Sequence, residues 1–163
     1  MSEYYLVPVY SSLALSDAEA IMDAVLEARM AENLLPLTVA ILDSGGGLVV
    51  LKREDGSGLL RSDIALGNAY GALGMGISSR TIRDRLGDRP AFQNAIAAAS
   101  EGKFIPVPGG VLILKETGQC IGAVGSSGDA SDRDEYAVIT GIHAAGFKTH
   151  PEAPAENWRH AKL

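Results

Sequence analysis

Apolar residues recur at helical spacing through Ala18, Ile21, Met22, Val25 and Ala28, which predicts a helix over about 16–33. Ser16, with Glu19 three residues on, reads as a capping box for its first turn. Past Pro36 the period changes. Residues 37–42 form a largely apolar run of strand length, and 48–51 form a second. The intervening Asp43-Ser44-Gly45-Gly46-Gly47 tolerates positive φ and suits a tight turn. Strands joined so closely must run antiparallel, because a parallel pair needs a long crossover.

Residues 61–76 read as a helix of small residues, with Ala65, Gly67, Ala69, Gly71, Ala72 and Gly74. Such a helix admits close approach of another backbone, either the sheet or a second subunit. A short helix follows over 81–86, and Pro90 suits the first turn of another that ends near Ser100. Residues 104–107, 111–114 and 120–125 read as three further strands, the last two joined at Glu116-Thr117-Gly118. Ser131 with Asp134 caps a final helix running to about Ala145, and Gly146 closes it. The segment 148–163, with Pro151 and Pro154, reads as an extended tail outside a single domain of residues 1–147. Two hairpins among the strands predict an α+β fold, a largely antiparallel sheet flanked by helices, rather than a doubly wound one.

Composition narrows the function classes. The net charge of −6 argues against a nucleic-acid partner, since phosphate binding needs a basic surface. No window approaches the apolar length of a membrane span, and the N-terminus lacks the features of an export signal, so the expected compartment is the cytoplasm. Aromatic residues are scarce at 6% while glycines number 19, so the glycines must serve turns and close contacts. One cysteine, Cys120, excludes an internal disulfide.

Phosphate loops, dinucleotide fingerprints, zinc-protease helices and serine-hydrolase elbows are all absent. The acidic run Asp129, Asp132, Asp134 and Glu135 lacks calcium-loop spacing and suits the first turn of a helix. Asp43, Asp129 and Asp132 remain candidates for acid–base work. Arg80, Arg83, Arg85 and Arg89 form a basic cluster, interleaved with Asp84 and Asp88, that reads either as an ion-paired helix face or as an anion site. Gly109 and Gly110, then Gly125, Ser127 and Gly128, punctuate two strands. They allow a ligand, or another backbone, to approach the sheet. His143 is the single histidine of the predicted domain, on the final helix.

Several of these segments, in order, resemble one family. They are Asp43-Ser44-Gly45-Gly46, Arg53-Glu54-Asp55-Gly56, Ser62-Asp63-Ile64-Ala65, Pro108-Gly109-Gly110-Val111, Ile121 to Gly128, and Ala144-Ala145-Gly146. The chain is similar over about 13–147 to the GlcG/HbpS-like heme-binding-type proteins, also found as the C-terminal domain of PduO-type corrinoid adenosyltransferases. The resemblance implies a profilin-like fold with a five-stranded antiparallel sheet, and assembly into homo-oligomers. It also implies heme binding in some members and a setting in catabolic operons.

The expected function is therefore binding of a small molecule, heme or another carboxylated planar ligand, in a glycine-lined site near a subunit interface. Gly109, Gly110, Gly125, Ser127 and Gly128 would line it, Arg53 or Arg80 would meet a carboxylate, and His143 is the candidate iron ligand. A small catabolic enzyme acting on a hydroxylated or carboxylated metabolite is the alternative. A non-catalytic oligomeric module is another.

Overall fold

A computed structural model describes residues 6–163. Helix α1 spans Leu15–Ala31 and is followed by the hairpin β1 (Thr38–Asp43) and β2 (Leu48–Arg53). Three helices come next: α2 (Arg61–Met75), α3 (Ser79–Leu86) and α4 (Pro90–Ala99). Strands β3 (Gly110–Leu114) and β4 (Cys120–Ser127) form the second hairpin, followed by α5 (Ser131–Ala144), β5 (Lys148–His150) and a 3-10 turn at Trp158–His160. The sheet order is β2-β1-β4-β3-β5, and every neighbouring pair is antiparallel. The α+β architecture with a five-stranded antiparallel sheet is the one expected. Among the described residues no helix is long and apolar enough to cross a membrane.

Strand alternation divides the sheet into two faces. Ile41, Val124 and Val111 lie side by side across β1, β4 and β3, with α1 and α5 packed over them. Leu42, Ala123 and Leu112 form the next row and point the other way, toward Ala69 and Ala72 of α2. The buried face of α1 comprises the five predicted residues, Ala18, Ile21, Met22, Val25 and Ala28. Gly141 of α5 lets α1 approach closely: a Cβ there would lie 2.5 Å from the Val25 nitrogen.

Four local expectations are corrected. Ser16 is not the cap of α1: the helix starts one residue before it, behind Ala14, with no side-chain cap. Ser131 is likewise the first residue of α5 rather than its cap. The Asp134 carboxylate reaches back from the first turn, accepting from the amides of Gly128 (3.2 Å) and Asp129 (2.8 Å). Residues 104–107 form no strand. Phe104 and Ile105 lie instead over Gly71 and Gly67 of α2, where those glycines leave room for them. The expected extended tail supplies the fifth strand, with Leu112↔His150, Ile113↔Thr149 and Leu114↔Lys148 in register. Beyond it Trp158 stacks on Tyr136 of α5, ring centroids 3.6 Å apart.

Candidate functional site

Helix α2 lies across β4, β1 and β3 but not β2. Register pairs Leu51 with Ala40 and Leu48 with Leu42, so both β2 leucines share the α2 face beyond the edge of that helix. The result is a groove of about 550 Å³ between the first hairpin, α2 and the loop after α4. Leu42, Leu48 and Leu66 give it apolar walls, with Gly46 and Gly67 between them. Tyr70, 37% exposed, stands at its side and separates it from a smaller cleft of about 270 Å³. Gly46, at φ +82°, leaves the space that the Tyr70 ring edge occupies: a Cβ there would lie 3.2 Å from Cε2.

The polar groups of the groove are few. Asp63 comes from the first turn of α2, and Glu101 and Lys103 from the loop after α4. Two left-handed residues, Glu101 (φ 56°) and Gly102 (φ 80°), turn the chain at the end of α4. That turn carries the Lys103 ammonium over the Tyr70 ring, 5.4 Å from its centroid. An apolar slot flanked by one aromatic ring suits a flat, largely apolar ligand, and beside the carboxylates of Asp63 and Glu101 the Lys103 ammonium is the group of this lining that would pair with an acid.

The residues singled out in the sequence lie elsewhere. Gly110 and Gly125 sit under α2, where added Cβ atoms would fall on the backbone carbonyls of Asn68 and Ala65. A Cβ on Gly109 would come within 2.7 Å of the Ser126 carbonyl, and one on Gly128 would fall on that of Pro36. The close partners of these glycines are therefore the chain's own backbone. Ser127 accepts a hydrogen bond from Arg61 Nη1 at 3.0 Å. Arg53, opposite Thr38, is at the far end of β2 from the groove.

The three candidate carboxylates do not converge. Asp43 closes the hairpin turn, accepting from the amides of Gly45 (3.0 Å) and Gly47 (2.9 Å). Asp129, near the opposite end of β1, accepts from the amides of Leu35 (2.8 Å) and Ala130 (2.7 Å). Asp132 lies 3.7 Å from Arg83. His143 is exposed, its Nε2 2.9 Å from Thr149 Oγ1, in an open cleft of about 870 Å³ at the β5 edge, the sheet edge opposite β2. Among the described residues no cluster of three or more His, Cys, Asp or Glu side chains could hold a metal ion.

Arg80 meets a carboxylate, and it is the protein's own. Its Nε lies 3.1 Å from Oε2 of Glu135, a fully buried side chain, and its Nη2 donates to the Ala153 carbonyl at 2.7 Å. Neither Glu135 oxygen has an aligned hydrogen bond. Burial raises its carboxyl to about 7 despite the opposing pull of Arg80. The neighbouring Asp134 is also raised to about 7 by burial, against the two amides it accepts from.

Sequence reasoning missed Tyr70 and Lys103. Tyr70 carried a signal, as the one aromatic residue within a helix of small residues in an aromatic-poor chain. Lys103 carried none.

The family model for haem degrading protein HbpS-like proteins matches residues 13–143. The chain belongs to the HbpS-like family. It is similar to an uncharacterized 15.0 kDa protein in the dhaT-dhaS intergenic region of Citrobacter freundii, 27% identical over 132 residues, 81% of this chain and 91% of that one. The corrinoid adenosyltransferase PduO of the same organism is 25% identical over 122 residues, 75% of this chain, and this HbpS-like chain spans 36% of its length. A solved PduOC:heme complex superposes with a TM-score of 0.75 and 25% identity, covering 85% of this chain and 98% of that one.

Proposed function

We propose that the protein binds a flat, carboxylate-bearing, largely apolar small molecule, heme or a relative of it, in the groove between β2 and α2. The observation that carries this reading is the groove itself: an apolar slot left by the incomplete cover of α2, with the Lys103 ammonium over Tyr70 and the carboxylates of Asp63 and Glu101 also at its rim. The likeness to a heme complex of PduOC supports the ligand class. The donor set fits heme. Leu42, Leu48 and Leu66 would receive the macrocycle, and the Lys103 ammonium would pair with a propionate. Tyr70 would offer its phenol oxygen to iron, a ligand type that holds heme in other folds. Bound there, heme would bring a visible chromophore and a redox-active iron.

The glycine-lined character of the reading survives in Gly46 and Gly67 rather than in the strand glycines. The acid–base enzyme reading has less behind it, because Asp43 and Asp129 hold local structure at opposite ends of β1: Asp43 accepts from two turn amides and the Ser11 hydroxyl, and Asp129 from the amides of Leu35 and Ala130. Self-association belongs to the reading. Leu59 and Leu60, exposed just before α2, give a second copy a place to pack; a strict monomer at micromolar concentration in native mass spectrometry contradicts that part.

Titration with hemin tests the binding. The expected result is a Soret shift that saturates near one hemin per chain and weakens in Lys103→Ala. Binding that never saturates, or that Leu66→Asp in the groove leaves unchanged, rejects the groove.

A further inference from the structure

We propose that residues 6–10 are the missing wall of the groove, a strap that folds down over the bound ligand of the same chain. This rests on the groove being the ligand site. In the structure Leu6, Val7, Val9 and Tyr10 are 84%, 70%, 94% and 87% exposed. Four large apolar side chains within five residues, interrupted only by Pro8, thus stand in water. Exposed apolar patches of this kind mark surfaces that acquire a partner.

The strap is anchored where it must be to reach the groove. Ser11 Oγ donates to Asp43 Oδ2 at 2.9 Å. Ser12 Oγ donates to the Ile121 carbonyl at 2.8 Å and accepts from the Ser44 amide at 2.9 Å. Asp43 and Ser44 open the hairpin turn whose Gly46 forms part of the groove wall, with Leu48 just after it. The base of the strap is therefore hydrogen-bonded to the turn that supplies part of the groove wall. A cube of the groove's volume is about 8 Å on a side. Five extended residues span about 17 Å, so a strap hinged at Ser11 crosses it.

The sequence of the strap favours side-chain packing over strand addition. Pro8 has no amide hydrogen and breaks any ladder that the segment could build on the free edge of β2. Tyr10, nearest the hinge, would lie against one side of a flat ligand while the leucines lie against the other. An aromatic-poor chain thereby gains a second ring for its site, next to Tyr70.

Hemin is the probe, added to the full-length protein. The strap contributes nothing to the folded core, so the doubly substituted Val9→Ser/Tyr10→Ser and Leu6→Ser/Val7→Ser chains fold as the parent does. In both, the expected result is unchanged stoichiometry with hemin lost to apomyoglobin about tenfold faster. Chymotryptic cleavage after Tyr10 in the parent slows when hemin is bound. Unchanged hemin loss in both variants, with cleavage that ignores hemin, overturns the strap and leaves the groove standing. A parent that binds no hemin overturns both. Two further outcomes also overturn it. Protection from cleavage that grows with protein concentration assigns the cover to a second copy. A Cys120 thiol that maleimide labels faster in Val9→Ser/Tyr10→Ser places the strap in the neighbouring cleft of Ser44, Leu73, Leu112 and Cys120.

Discussion

Glu135 and Asp134 are successive residues of α5, both buried and both raised to about 7 by burial. An acid whose folded-state pKa exceeds its unfolded value keeps its proton longer in the folded chain. Its stabilising contribution is complete below the unfolded value and is lost as pH rises through the folded one. For Glu135 the window runs from pH 4.5 to about 7. The loss across it is on the order of 3 kcal/mol. Glu135→Gln keeps the burial and the approach to Arg80 while removing the ionisation. The urea midpoint of the parent is therefore expected to fall between pH 5 and 7.5, and that of Glu135→Gln to fall less. Parallel curves for the two chains contradict the assignment. This side chain also shows a limit of residue-by-residue reading. Among Asp129, Asp132, Asp134 and Glu135 nothing in the sequence marks Glu135 as the one aimed inward at Arg80.

At the scale of elements, the packing of α2 on the sheet explains Gly110 and Gly125. A Cβ on Gly125 would fall on the Ala65 carbonyl and lie 2.8 Å from the Ala69 amide nitrogen. No rotamer relieves that contact, because both atoms are backbone. Gly125→Ala is expected to cost at least about 3 kcal/mol. Gly74, in the same helix as Ala65, has open space around its Cβ position. Gly74→Ala is expected to stabilise by about 0.5–1 kcal/mol. Thermal unfolding of the two variants reads both signs, and equal effects would show that α2 does not lie on β4 as described. The same packing accounts for what the sequence revealed of the fold and what it hid. The face of α1, the two hairpins and α2 were legible because each buries a regular pattern. The strand expected over 104–107 was apolar for another reason: Phe104 and Ile105 fill the hollows left by Gly71 and Gly67. The true fifth strand, Lys148–His150, was hidden because an edge strand of three residues with only Thr149 buried has no apolar run to display. The candidate groove was hidden for a related reason. The strand glycines that looked like a ligand cradle are taken up by the chain's own backbone: Gly110 and Gly125 by α2, Gly109 by the Ser126 carbonyl and Gly128 by that of Pro36. The groove is made by the place where α2 stops, which depends on how wide the sheet is.

At the scale of the whole molecule, a ligand held by the folded chain alone stabilises it by mass action, by about 2.7 kcal/mol at a hundred times Kd. For a chain of this size that raises Tm by roughly 5–11 °C. The comparison of hemin with iron-free protoporphyrin IX separates the groups of the groove. Both present the same flat apolar body and the same two carboxylates, so in the proposed groove both would meet Leu42, Leu48, Leu66 and Lys103 alike. Only hemin offers a site for the Tyr70 oxygen. Hemin is therefore expected to raise Tm more than protoporphyrin IX in the parent. Tyr70→Phe keeps the ring and removes the oxygen, so it brings the hemin shift down to that of the iron-free porphyrin and leaves the latter unchanged. Lys103→Ala lowers both shifts together, because the carboxylates are common to the two ligands. An undiminished hemin shift in Tyr70→Phe removes Tyr70 as the iron donor. Shifts that survive in Lys103→Ala and Leu66→Asp together remove the groove as the place where the porphyrin sits.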